Sequence, residues 1–412
     1  MTGHHTPTTG GTVFLLPGQG CQYPGMARTL YHHPRWTVFR DALDQACHAL
    51  DPHLDTPLRE VMFAEPGTPH ATLLTRTDYT QPALFALTTA LYHQITHLGP
   101  TPTHLIGHSI GEITAAHLTG TLTLQDAALL ITTRGRLMHT LPTHTTGMLA
   151  THTTHNHLQT LLADHPGITI AAHNSPTDHV LAGDLPTLTH LHHHLKTHNI
   201  PTRLLNTSHA FHSPHMDPVL DDFHTTAATL TYHPPTTPVI STLTTTVVEK
   251  FTPEHFTRHL REPVHFHQAL THTTTHTTTY LELTPHPTLT PHIPTHTTHT
   301  TDPTDTPDTT DTTKTCITHT LHRDHDDHHA FHTALAHLHT HHHTITWPTT
   351  TPTPHQPHLP TYPFERHSYW LTPPQTAAPP GQTPPPPGGG GGRPPPPPPP
   401  PPPRPPPPPP LP

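Results

Sequence analysis

The sequence has few charged and few apolar residues: of its 412 residues, 11% are Asp, Glu, Lys or Arg and 30% are hydrophobic. Lys and Arg number only 17 and the formal net charge is -10 with neutral histidine, which excludes a basic face for nucleic acid. No apolar run approaches the roughly 20 residues that cross a bilayer, and the N-terminus lacks the pattern of a secretory signal. These absences predict a cytoplasmic protein that binds neither nucleic acid nor membrane.

Cysteine is also scarce. The three cysteines, Cys21, Cys47 and Cys316, are odd in number and far apart in the chain. This pattern argues against a disulfide framework and favours a reducing compartment.

Histidine, in contrast, is abundant, with 54 residues spread over predicted helices, loops and linkers without a repeat period. A histidine outside a motif therefore carries little information, although imidazole is the usual general base near neutral pH. The runs His192 to His194 and His341 to His343 lack the spacing of metal ligands, so no metal site is predicted. Because so many imidazoles charge near pH 6.5, we expect the solubility to depend strongly on pH.

The order of apolar segments and turns predicts an α/β fold. TVFLLPGQG (12–20) is typical of a buried strand ending in a glycine-rich turn, and QPALFALTTALYHQITHLG of a helix from near Gln81. Between residues 147 and 206 the pattern is βαββαβ, which indicates a ferredoxin-like unit inserted into a larger α/β domain. The segment FTPEHFTRHLREPVHFHQAL reads as one helix, and YLELT (280–284) as a strand.

The pentapeptide Gly107-His108-Ser109-Ile110-Gly111 fits the nucleophile elbow G-x-S-x-G. Such a turn exposes a serine hydroxyl at a helix N-terminus, where backbone N–H groups stabilise an oxyanion. The bare pentapeptide also occurs in ordinary surface turns. Its position after an apolar strand and before an alanine-rich helix favours the elbow.

Six features in register extend this interpretation: GQG, GHSIGE, RGRLM, the inserted ferredoxin-like unit, HAFHSPHMDP and LPTYPFERHSYWL. Together, over about residues 12–372, they resemble the acyltransferase domain of a modular type I polyketide synthase, of the malonyl-CoA:acyl carrier protein transacylase family, with its trailing linker. The resemblance implies an α/β-hydrolase-like large subdomain with a parallel sheet and a nucleophile elbow, plus the ferredoxin-like small subdomain. It divides the chain into the large subdomain (12–146 and 207–290), the small subdomain (147–206), a low-complexity linker (291–314), the post-acyltransferase linker (315–372) and a disordered Pro/Gly-rich tail (373–412).

The resemblance also implies roles for individual residues. Ser109 corresponds to the nucleophile that takes the acyl group, and His212, the second histidine of HAFH, to its general base. The backbone N–H of Ile110 and Gln19 of GQG correspond to the oxyanion hole. A backbone carbonyl near Glu262 would orient His212, so that the site is a dyad without a carboxylate.

The acyl group is indicated by three further positions. Arg134, in RGRLM, matches the residue that pairs with the free carboxylate of a dicarboxylic acyl group, a task for which a guanidinium has two parallel donors. His209 and Phe211, in HAFH, match the selectivity motif, and the bulky ring of Phe211 favours malonyl over methylmalonyl. Neither His209 nor His215 matches the catalytic position, and both are interpreted as structural.

The function that follows is transfer of a malonyl unit from malonyl-CoA, through a malonyl-serine, to the phosphopantetheine thiol of an acyl carrier protein. No permanently bound cofactor is implied, and a ketosynthase domain or other synthase modules are further expected partners. Two alternatives stay open at this point: a thioester hydrolase with the same dyad, and a drifted module without activity. The aromatic residues Tyr362, Phe364, Tyr369 and Trp370 are expected to form an apolar patch that invites a partner.

Overall fold

A computed structural model describes residues 10–143, 145–273, 277–294 and 315–348. The aromatic patch predicted at residues 362–370 and the Pro/Gly-rich tail lie outside these described residues. No helix in the described part of the chain is long and apolar enough to cross a membrane.

A five-stranded sheet, in which all strand pairs are parallel, forms the large subdomain. Its order is β7-β2-β1-β8-β9. The strands are β1 (Gly11–Leu16), β2 (His104–Gly107), β7 (Val239–Ile240), β8 (Thr277–Glu282) and β9 (Cys316–His319). Leu16 pairs with Gly107, so β1 and β2 end side by side. Loops that follow neighbouring parallel strands meet at this carboxyl edge, which is where GQG and GHSIG lie.

Strand β1 is buried on both faces, as its continuous apolar sequence predicts. Phe14 and Leu16 point into the main apolar core beneath the helices, while Val13 and Leu15 pack in a second cluster with Phe266 on the opposite face. The sheet is therefore covered by helical segments on both faces.

Most of the helices pack around this sheet. In chain order they are α1 (Arg28–His32), α2 (Thr37–Leu50), α3 (Leu58–Met62), α4 (Pro69–Leu73), α5 (Thr77–His97), α6 (Ile110–Leu118), α7 (Leu124–Thr140), α8 (His155–Ala163), α9 (Leu185–Thr197), α10 (Leu220–Ala228), α11 (Pro253–Arg261), α12 (Phe266–Thr271) and α13 (Asp327–Thr340). Helices α8 and α9 belong to the inserted unit.

Helix α5 begins at Thr77, one turn before the predicted start near Gln81. Pro82 therefore lies inside this helix. The extra turn matters because it carries Thr77, which, like Gln81, is a buried polar residue that contacts Gln19 after the end of β1.

The inserted unit has a four-stranded antiparallel sheet of order β4-β5-β3-β6. Its strands are β3 (Thr146–His152), β4 (Ile168–His173), β5 (Asp178–Asp184) and β6 (Thr202–Leu204), with α8 between β3 and β4 and α9 between β5 and β6. Both the connectivity and the strand order are those of a ferredoxin-like unit, which confirms the predicted fold class.

Two segments differ from the sequence-based expectation. The single helix predicted over residues 251–270 is two helices, α11 and α12, because Pro263 forces the preceding residue Glu262 into an extended conformation (ψ 160°) and ends α11 at Arg261. The segment after the low-complexity linker also adds β9 to the edge of the large sheet beside β8. The limits assigned to the individual domains stay predictions.

Candidate active site

Ser109 stands between β2 and α6 with φ 51° and ψ -119°, an unusual backbone conformation for a residue other than glycine. The turn is tight enough that a Cβ atom at Gly111 would overlap the carbonyl oxygen of Leu16. Such strain is typical of a nucleophile elbow, which holds the serine hydroxyl clear of its own backbone. The local structure is thus the one that the G-x-S-x-G spacing predicts.

The structure brings His212 to this serine. The Nε2 atom of His212 is 2.7 Å from the Oγ of Ser109, and its Nδ1 is 2.9 Å from the backbone carbonyl oxygen of Glu262. A carbonyl oxygen only accepts hydrogen bonds, so Nδ1 carries the proton and Nε2 is free to accept one from the serine. The extended conformation of Glu262 before Pro263 takes this carbonyl out of the helix and makes it available.

His212 is 4% exposed and has a positive φ of 55°. Burial lowers its pKa well below the ordinary value, and the nearby Arg134, His259 and His108 lower it further. The imidazole is therefore neutral near pH 7, which is the protonation state that a general base needs.

Arg134 projects from α7 into the same site and is 1% exposed. Its Nη1 donates to the Oε1 of Gln81 at 2.7 Å and its Nη2 to the Oγ of Ser109 at 3.3 Å, whereas its buried Nε has no hydrogen-bond partner. Burial lowers the pKa of Arg134 to about 9, so the guanidinium is still charged at pH 7. Within the described residues, no carboxylate forms an ion pair with it.

The predicted oxyanion-hole residues are carried by the elbow and by the GQG loop. Ile110 is the first residue of α6, so its N–H is one of those that a helix leaves without an internal partner. Gln19 follows β1, and its Oε1 accepts hydrogen bonds from the Oγ1 of Thr77 at 2.8 Å and the Nε2 of Gln81 at 3.0 Å. A Cβ atom at Gly18 would lie 3.1 Å from the carbonyl oxygen of His108, so the GQG loop and the elbow are in close contact.

His209 and Phe211 are both buried, with their ring centroids 5.8 Å apart. The Nε2 of His209 lies 3.0 Å from the carbonyl oxygen of Leu141, and its Nδ1 lies 2.7 Å from the Oγ of Ser208. These contacts join the loop of His209 to the end of α7. They fit a structural role for the His209 ring, since the ring nitrogen that contacts Ser109 is that of His212.

A buried acidic network beside the elbow is absent from the sequence-based prediction. Glu112, in the first turn of α6, accepts hydrogen bonds from the Oγ of Ser241 (2.6 Å), the Nε2 of His255 (2.7 Å) and the backbone N–H of Thr242 (2.9 Å). Burial alone would raise the pKa of Glu112, but His259, His255 and the hydrogen bond from Ser241 lower it to about 2. The final letter of GHSIGE was the available signal for this residue.

His259 connects this network to the dyad. Its Nε2 is 3.6 Å from the Oε2 of Glu112, and its ring stands edge-on to that of His212 at a centroid distance of 5.9 Å. Burial lowers the pKa of His259 to about 4 even though Glu112 raises it. Among 54 histidines, nothing in the sequence distinguishes this one.

No group of three or more His, Cys, Asp or Glu side chains among the described residues has an arrangement that could hold a metal ion. The histidine runs at 192–194 and 341–343 lie within this part of the chain. The three cysteines are free thiols and buried, and burial raises the pKa of Cys21 and Cys47 to about 12. They are poor nucleophiles in these surroundings.

Comparison with known proteins assigns the family. The family model described as "Acyl transferase domain" matches residues 13–345, which include the whole site and the strand β9. The chain belongs to the acyl transferase domain family. This confirms the resemblance drawn from the motifs, and it makes the chain an acyltransferase domain.

Its relatives are polyketide synthases. The chain is 43% identical over 269 residues to the spectinabilin polyketide synthase system protein NorB of Streptomyces orinoci, which is 64% of this chain and 12% of NorB. It is similar to the solved acyltransferase domain from the second module of the salinomycin polyketide synthase, with a TM-score of 0.71, 36% identity, and coverage of 82% of this chain and 75% of that one.

A second solved structure, the acyltransferase domain of SpnD in complex with 2-(pent-4-yn-1-yl)malonyl, has a TM-score of 0.67 and 27% identity. The matched region covers 82% of this chain and 77% of the SpnD chain. The chain thus spans a small part of the length of NorB and most of each of the two solved acyltransferase domains.

Proposed function

We propose that this acyltransferase domain transfers a malonyl group from malonyl-CoA, by way of Ser109, to the phosphopantetheine thiol of an acyl carrier protein. The observation that carries the proposal is the buried guanidinium of Arg134, 3.3 Å from the Oγ of Ser109 and without an ion-pair partner among the described carboxylates. An uncompensated buried charge is costly, so the site suits an acyl group that brings its own carboxylate.

The reaction is a two-step exchange. His212 takes the proton from the hydroxyl of Ser109 as the oxygen attacks the thioester carbonyl, and the resulting oxyanion accepts hydrogen bonds from the N–H groups of Ile110 and Gln19. The carbon–sulfur bond then breaks, and the proton on His212 passes to the sulfur of coenzyme A as it leaves. The carrier thiol repeats these steps in reverse on the malonyl-serine, and no other cofactor takes part.

Phe211 supports malonyl over methylmalonyl. The ring is 6% exposed and so has little freedom to move, and in this proposal it borders the acyl group because it stands one residue before the base His212. A methyl branch on the acyl group would need space there. Discrimination by a single methyl is worth only about 1 to 3 kcal/mol, so a minor methylmalonyl product is expected.

The partners follow from this chemistry and from the relatives. An acyl carrier protein is required as acceptor, and a ketosynthase or other modules of a polyketide synthase are proposed neighbours because NorB is named as part of such a system. The malonyl derivative in the SpnD complex also supports a dicarboxylic acyl group for this domain.

The proposal is tested by intact-protein mass spectrometry of the full chain after brief incubation with malonyl-CoA and methylmalonyl-CoA in competition. A predominant malonyl adduct that disappears in Ser109→Ala is the expected result. Release of coenzyme A without an adduct would favour a hydrolase instead. Neither an adduct nor release from folded protein would indicate an inactive module.

A further inference from the structure

Helices α5 and α7 approach each other closely at the site. A Cβ atom at Gly135 would lie 3.0 Å from both the Cα of Asp78 and the carbonyl oxygen of Thr77, so the glycine admits the first turn of α5. The neighbouring residue on α7 is Arg134, whose guanidinium reaches the next turn of α5 at Gln81. The geometry of the arginine therefore depends on this helix contact.

Gln81 is fully buried, and both ends of its amide make contacts. Its Oε1 accepts from the Nη1 of Arg134 at 2.7 Å, and its Nε2 lies 3.0 Å from the Oε1 of Gln19 and 3.2 Å from the Sδ of Met138. Arginine has only donors, so the oxygen of the amide must face it and the nitrogen must face Gln19. The orientation of the amide is thus fixed by Arg134 at the oxygen and, at the nitrogen, by Gln19 and by the Oγ1 of Thr77, which accepts at 3.0 Å.

The charge at this position is as important as the hydrogen bond. Gln81 holds the guanidinium with a neutral acceptor, so the positive charge of Arg134 is not neutralised. The carboxylate of Asp78, at the start of the same helix, is 2.6 Å from the Nη2 of Arg76 and is thereby paired elsewhere. A glutamate at position 81 would instead place an anion directly against Arg134.

We propose that Gln81 is a specificity-determining positioning residue: it anchors Arg134 while leaving the guanidinium charge for the carboxylate of the acyl group, and it ties that arginine to Gln19 in the oxyanion loop. The arginine that binds the carboxylate and the loop that stabilises the oxyanion then belong to one hydrogen-bonded unit. The inference rests on the proposed function, because it takes Arg134 as the partner of the acyl carboxylate.

The test is the rate of covalent loading of the full chain from malonyl-CoA and from acetyl-CoA, measured for wild type and Gln81→Glu. The introduced carboxylate should occupy Arg134, so the ratio of malonyl to acetyl kcat/KM is expected to fall on the order of 100-fold, mainly through the KM for malonyl-CoA. A purely structural defect would lower both rates together and leave the ratio in place.

Gln94→Glu is the matched control, because Gln94 is also a buried glutamine of α5, bonded through its Oε1 to the N–H of Phe39 at 3.1 Å. The control is expected to retain the wild-type ratio; an equal fall there would overturn the inference. If Gln81→Glu does not fold, Gln81→Met decides, since it removes the anchor without adding charge. A rise of about 10-fold in the malonyl KM against an unchanged acetyl KM is expected, and equal changes would overturn the inference.

The two proposals can fail separately. A wild type that prefers malonyl, together with a folded Gln81→Glu of unchanged ratio, would overturn only the role of Gln81. A wild type that loads acetyl but no malonyl would overturn the proposed function and this inference with it.

Discussion

Acidification from about pH 7.5 to about pH 5 is expected to destabilise this domain strongly, because several histidines are buried in their neutral form. Burial lowers the pKa of His108, His173 and His259 to about 4 from the ordinary 6.5. The unfolded chain therefore binds protons at these positions at a pH where the folded chain does not.

The magnitude follows from the shift of a single group. Stability due to neutral His259 is complete above its unfolded pKa of 6.5 and falls with pH until the folded pKa of about 4, with roughly 3 kcal/mol lost in all. About 2 kcal/mol of this is lost by pH 5. His108 and His173 add losses of the same sign, and even the loss from His259 alone is a sizeable part of the 5 to 15 kcal/mol that stabilises a typical domain.

The assay is urea unfolding of the full chain at several pH values, followed by circular dichroism. Replacement by His259→Gln should reduce the loss of unfolding free energy over this pH range by about 2 kcal/mol relative to wild type. The comparison cancels titrating groups that His259 does not influence, including Glu282, whose pKa burial raises and which acts in the opposite direction. The exposed His190→Gln serves as the control. Equal pH dependence in wild type and His259→Gln would refute the reasoning.

Two predictions concern the loop that carries HAFH. His212→Ala should reduce malonyl loading about 1,000-fold by removing the proposed base, whereas His209→Ala should retain loading because it is His212, and not His209, whose ring nitrogen lies at the hydroxyl of Ser109. The opposite ranking in a mass-spectrometric time course would contradict the assignment. Phe211→Ser should raise the methylmalonyl share of the adduct about 10-fold in the competition assay, and an unchanged share would remove Phe211 from selectivity.

Residues that lie on motif turns were predictable from the sequence. The spacing G-x-S-x-G requires glycine where Gly111 meets the carbonyl of Leu16, so the elbow at Ser109 is specified locally. His212 and Arg134 lie far from it in the chain, and only the ordered set of motifs associates them with it. The structure then brings both within hydrogen-bond distance of the serine.

The orienting group of His212 could not be found from a side-chain pattern, because it is a backbone carbonyl. Any residue at position 262 supplies the same oxygen. What the sequence does encode is Pro263, which keeps Glu262 extended and ends α11. Because the apolar periodicity continues on both sides of this break, the sequence predicted one helix where the structure has two, and the periodicity gave no sign of the contact between the Glu262 carbonyl and His212.

Gln81, Glu112 and His259 were missed for a different reason. Each contacts a partner that is distant in sequence: Gln81 contacts Arg134, Glu112 contacts Ser241 and His255, and the ring of His259 contacts that of His212. Buried polar groups of this kind are recognised by their hydrogen bonds in the folded state rather than by spacing.

The buried charge of Arg134 destabilises the folded domain when no acyl group is bound, and this destabilisation suits the proposed reaction. Its pKa falls from 12.5 to about 9 on burial, so the folded state is destabilised while the group is charged, by about 5 kcal/mol at pH 7. A carboxylate on the acyl group would recover much of this free energy as it binds, and an acetyl group would recover none. Under the proposed function, the same buried charge both lowers the stability of the empty domain and supplies the selectivity, and the neutral amide of Gln81 leaves the guanidinium without an ionic partner until the substrate binds.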